Sequence, residues 1–176
     1  MNPVSKNLIY LKWIIYLLIL IVGSAPFFYF WWPESEAFFR QHEILSKYGG
    51  VSQLATWQQI LGFFVAFLPS ATLCWALVLV LELLNRLKAG QWFDEPTEKL
   101  CYTFSKVMLW FAIIQFLHRT ILVLVITITN APGDRHLAIN FSSDDLFALV
   151  PVIFALIFAH IISLAREQRD ELKQIV

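Results

Sequence analysis

Four apolar runs, residues 8–32, 57–84, 107–129 and 146–165, constrain this chain more than anything else in it. A helix rises about 1.5 Å per residue, so each run is long enough to cross a hydrocarbon core of about 30 Å. A soluble fold would have to bury all four against one another. With hydrophobic residues at 59% and charged residues at 15%, too little polar surface is left to clothe such a core. In lipid every backbone N–H and C=O must be satisfied internally, which for runs of this length means helices. The expected fold class is all-α: a polytopic membrane protein, one domain over residues 1–176 with four transmembrane helices and the lipid bilayer as its first partner.

The first run is interrupted only by Lys12 and by Gly23-Ser24. Small residues there offer a signal-peptide cleavage site, but Pro26 follows directly and apolar residues continue through FFYFWW, so the run reads as an uncleaved anchor. Tyr29, Trp31 and Trp32 suit the far membrane interface. From Pro33 to Thr56 the chain is polar, with Phe38, Phe39 and Leu45 spaced for a short interfacial helix or for a loop touching lipid. The second run carries Pro69 near its middle, where a kink is expected. It also carries Gly62, Ala66, Ser70 and Cys74 at four-residue spacing, a row of small side chains along which another helix can approach.

Residues 85–106 form the central polar connector. Arg86 and Lys88 oppose the carbonyl end of the second helix, Gly90 supplies a left-handed stop, and Asp94 or Glu95 caps the next helix with Pro96 in its first turn. The third run contains Gln115, His118 and Arg119, whose offsets of three and four put them on one helical face. Asn130 to Asn140 reads as a short outer loop, and Ser142 with Asp145 as a capping pair opening the fourth run. Residues 166–176 are a charged tail extending that helix into water.

Lysine and arginine set the orientation. Residues 1–12, the connector and the tail hold nine of them, whereas the two opposite loops hold Arg40, Lys47 and Arg135. The positive-inside rule therefore puts both termini in the cytoplasm. Formal net charge is zero, so no basic excess points to nucleic acid. Cys74 and Cys101 share no short-spacing motif, which argues against a disulfide framework or a thiolate metal site.

The intramembrane polar candidates are Glu82, Gln115, His118, Arg119 and His160. An arginine near the midplane costs on the order of 3 kcal/mol and requires a partner or water, and Asp144, Asp145 and Glu34 are within reach of Arg119 as counter-charges. It clamps two helices, serves an anion or proton path, or snorkels toward the interface with no partner. His160 and Glu82 lie at matching depth and can hydrogen-bond, but Arg86 one turn from Glu82 offers a local ion pair, which is the favoured reading. Haem ligation by His118 and His160 is excluded by a depth difference of roughly 7 Å. No nucleophile elbow, HExxH, CxxC or phosphate-cradling loop occurs, so no catalytic, cofactor-binding or metal residues are assigned and the chain is not read as an enzyme.

With four spans, Leu84-Leu87-Gly90-Phe93 spaced as LxxLxxGxxF, and a last helix running through ALIFAHIISLAREQRDELKQIV, the chain resembles the bacterial family catalogued as domain of unknown function 2975. It departs from that family at Asp94, where serine or threonine is usual, and at His118-Arg119, where the third span is usually apolar. The resemblance implies a small multi-pass protein of the bacterial inner membrane, encoded beside helix-turn-helix regulators that would be its cytoplasmic partners. The expectation is an accessory or sensory protein acting through Arg86, Gln91, Trp92 and Phe93 on its cytoplasmic face. The alternative is a small, oligomeric transporter or channel-like carrier using the polar face of the third span.

Overall fold

A computed structural model describes residues 3–32, 54–92, 94–130 and 143–175, with side chains described from Leu8 and, in the last segment, over 146–172. The described residues are helical throughout apart from short turns. They form α1 (Pro3–Trp31), α2 (Thr56–Lys88), α3 (Glu95–Thr127) and α4 (Ser143–Ile175). All four are long and apolar enough to cross a membrane, and the fold is that of a multi-pass membrane protein. The expected interfacial helix before Thr56, the outer loop beyond Asn130 and the Ser142 capping pair lie outside the described residues.

The helices pack in chain order, α1 on α2, α2 on α3 and α3 on α4, each antiparallel to the last. Near the C-terminal end of α1, Tyr29 and Phe30 meet Val65 and Ala66 of α2 and Leu122 and Ile126 of α3. Ala76 and Leu79 meet Val107, Met108 and Ala112, with Val152 of α4 closing that cluster. Ile15 packs on Leu81 and Leu84 toward the C-terminal end of α2.

The small-residue row of α2, whose spacing predicts a close helix approach, faces α1. Gly62 lies under the Phe30 ring so closely that a Cβ there would come 2.7 Å from it. Lower down, the Cys74 thiol points at the Ile19 carbonyl, 3.7 Å away. Toward the N-terminal end of α1, Lys12 Nζ donates to Asn85 Oδ1, tying that end of α1 to the last turns of α2. Pro69 does not break α2, which continues as one helix to Lys88.

The helices overrun the apolar runs. α2, α3 and α4 have 33 residues each, about 50 Å by helix rise against about 30 Å of hydrocarbon. For α3 and α4 the excess falls at the same end, where residues 95–106 lie antiparallel to residues 163–175. Only six residues separate Lys88 from Glu95, so the connector is a tight turn rather than a long polar loop. Gly90, with φ of 79°, forms it. Its amide donates to the Leu87 carbonyl and that of Gln91 to Arg86, which satisfies the orphan carbonyls ending α2.

Candidate functional site

Two regions concentrate polar chemistry. The first joins the N-terminal end of α3 to the C-terminal end of α4. Arg166 Nη1 donates to Glu98 Oε2 at 2.5 Å, and Ser163 Oγ donates to Glu98 Oε1 at 3.0 Å. Arg166 also stands 4.0 Å from Glu95 and 3.7 Å from Asp170, and Arg169 Nη1 is 3.5 Å from Asp94 Oδ1. The two helices are thus laced together where their apolar runs give way to charged sequence. Arg166 first, then the Ser163 hydroxyl, holds the Glu98 carboxyl below the usual carboxylate range.

Asp94 occupies the N-cap of α3, but its side chain makes no capping hydrogen bond. The expectation that it caps the helix is corrected: Arg169 draws its carboxylate across to α4. Order at the turn comes instead from Thr97, fully buried, whose hydroxyl donates to the Gln91 carbonyl at 2.9 Å.

Of the cytoplasmic candidates, Gln91 is exposed and Trp92 is 52% exposed, while Phe93 lies outside the described residues. Arg86 pairs with Glu82 at 3.4 Å, the local ion pair favoured from the spacing. His160 is exposed and, among the described residues, makes no hydrogen bond to Glu82. These two residues lie on outward faces of different helices, so equal depth does not bring them together.

The second region is a partly open chamber of about 260 Å³ among α1, α2 and α3. Val22, Pro26 and Tyr29 form one wall and Pro69 and Ser70 a second. Phe111, Gln115 and His118 form the third. Pro69 and His118 lie near the centres of their apolar runs and Tyr29 near the end of its own, so the chamber extends from the middle of the bundle toward the C-terminal end of α1. The two prolines remove the amides that the carbonyls of Val22 and Val65 would otherwise accept from. His118, only 5% exposed, has Nδ1 2.9 Å from the Gln115 carbonyl. A carbonyl only accepts, so Nδ1 carries the proton and the ring is fixed in orientation.

Arg119 is not part of the chamber wall. Four positions along a helix return within about 40° of the starting direction, so Arg119 stays on the helical face of Gln115 while standing at the edge of the chamber rather than in its lining. Arg119 is half-buried and is not an unpartnered cation. Its proposed counter-charges Glu34, Asp144 and Asp145 lie outside the described side chains.

Three polar anchors were not singled out from the sequence. Glu98 and Ser163 join across 65 residues, a separation no local pattern discloses. Gln58, 2% exposed, donates through Nε2 to the carbonyls of Val125 at 2.9 Å and Ile126 at 3.2 Å, and its Oε1 accepts the Ala55 amide at 3.0 Å. It fastens the start of α2 to the end of α3. A glutamine opening an apolar run was the available signal. Among the described residues no group of three metal-ligating side chains converges.

Comparison with family models, curated proteins and solved structures gives no match.

Proposed function

We propose that this chain is an interaction protein of the bacterial inner membrane, an accessory or sensory component that engages a cytoplasmic partner through the projecting ends of α3 and α4. The observation that carries this reading is the overrun of those helices past the hydrocarbon, laced by Glu98, Ser163 and Arg166 into one unit. A paired, ordered projection offers a partner a surface whose ordering cost is already met. Trp92 and Leu172, 52% and 65% exposed, supply apolar area there, and aromatic residues dominate interface hot spots. The resemblance to the four-span bacterial family supports a helix-turn-helix regulator as that partner.

The orientation rests on nine cytoplasmic lysines and arginines against three outside. Reporters fused after Val176 or inserted near Gln91 should behave as cytoplasmic, and those near Gly50 or Gly133 as external. A periplasmic signal at Val176 would overturn the arrangement. A photoreactive residue at Gln91 or Gln168 should capture a cytoplasmic protein in cells. Capture of lipid or of copies of this chain alone at both positions rejects the interaction reading. The polar chamber favours a second reading, an oligomeric carrier, which that outcome would bring forward.

A further inference from the structure

The chamber among α1, α2 and α3 has a chemistry of its own, independent of the cytoplasmic reading. Its side chains include imidazole, amide, hydroxyl and phenol groups from His118, Gln115, Ser70 and Tyr29, with the Phe111 ring beside them. Among the described residues, no lysine, arginine, aspartate or glutamate lines it. Among apolar runs a charged ligand without a counter-charge is strongly disfavoured, so the occupant is neutral and reaches the site through lipid. At about 260 Å³ the space falls just below the range of about 300–1,000 Å³ usual for drug-sized ligands, which suits a single ring and not a whole lipid. Aromatic walls favour a flat partner, and the amide and hydroxyls favour one bearing oxygen.

We propose that this chamber binds the head of a lipid-soluble ring compound with carbonyl or hydroxyl oxygens, of the isoprenoid quinone class, with its tail left in the bilayer. Gln115 and Ser70 address the ring oxygens. His118, its ring oriented by the bond to the Gln115 carbonyl, forms the polar floor. Tyr29 and Phe111 cover the ring faces.

The full chain in lipid nanodiscs is titrated with a benzoquinone carrying one isoprenyl unit, with dioctanoylglycerol and with a short-chain phosphatidylglycerol, reading thermal stability. An azido-benzoquinone is photolysed in parallel and the label mapped. The expected result is a saturable rise in Tm with the quinone alone and labelling of the α3 segment containing Phe111 and His118. Gln115→Leu should weaken quinone binding at least ten-fold. Ser70→Leu, which fills the chamber, should abolish it, and the Tm of each unliganded variant reports folding independently. If one variant does not fold, the other carries the test. Equal protection by dioctanoylglycerol would overturn the ring assignment. Undiminished quinone binding in the folded variants, or no saturable binding by any probe, would overturn the site.

Discussion

The joint between α1 and α2 and the joint between α3 and α4 solve the same problem, holding two antiparallel helices together, by opposite means. Within the hydrocarbon, α1 meets α2 through steric fit, with Phe30 over Gly62 and Cys74 against the α1 backbone near Gly23. Beyond it, α4 meets α3 through charge, with Arg166 on Glu98 and Arg169 near Asp94. Lipid tails are as apolar as the side chains they touch, so in the membrane only close approach and shared polar groups favour protein over lipid. In water the penalty on charge disappears and an ion-pair lattice becomes available. α1, whose span is the least buried, therefore depends on a few small residues, whereas α4 has a fastening that salt and pH can reach.

The largest effect should come from filling the tightest approach. A Cβ at residue 62 would stand 2.7 and 2.8 Å from two atoms of the buried Phe30 ring. Gly62→Val should therefore cost about 1–3 kcal/mol, as overpacking does. The Phe30→Ala background should recover most of that loss, measured by unfolding in detergent micelles. Gly23→Ala is the control, because its Cβ meets only Cys74 Sγ at an ordinary 3.7 Å. If Gly62→Val and Gly23→Ala behave alike, steric fit does not define the joint. Next in size is Gln58→Leu, which removes the clamp between α2 and α3. Hydrogen bonds between membrane helices are worth about 1 kcal/mol, so a loss of that order is expected by the same measurement. Gln58→Asn should not restore it, being too short to reach both carbonyls.

How much of this was readable in the residues follows the same division. The spans announced themselves because apolarity is a strong signal in lipid, and the row from Gly62 to Cys74 marked a close helix contact by its spacing, without saying that α1 would fill it. Apolarity falls silent once the apolar runs end, but the cap signals at Asp94 to Pro96 and the charged tail after Arg166 still placed the start of α3 at Glu95 and carried α4 beyond Ala165. The i,i+4 pairs Glu95–Lys99 and Arg166–Asp170 were a further local signature. Asp94 has the side chain of a cap, but capping competes with any nearby guanidinium, and Arg169 is near only in three dimensions. The polar chamber was half legible: Gln115 and His118 stood out as polar residues in an apolar run. Ser70 read only as a small residue and Pro69 only as a kink.

The smallest effect, and the one that separates the two joints most cleanly, concerns Glu98. Its carboxyl is held below the usual carboxylate range by Arg166 and then Ser163, so in the folded state it binds its proton less readily than in the unfolded chain. The stabilisation it contributes is complete above the ordinary carboxylate pKa and is lost as pH falls through the lowered folded value. Acidification should therefore loosen the α3–α4 projection and leave the α1–α2 joint unchanged. Spin labels at Lys99 and Gln168 would report the first as a broadened distance distribution, and labels at Leu11 and Lys88 would report the second as constant. Glu98→Gln should show the loosened distribution already at neutral pH and respond little to further acid. High salt should act on the wild-type chain in the same direction, since screening weakens partly exposed pairs. An acid response that persists undiminished in Glu98→Gln would move the fastening elsewhere, with Asp94 and Arg169 the next pair to neutralise.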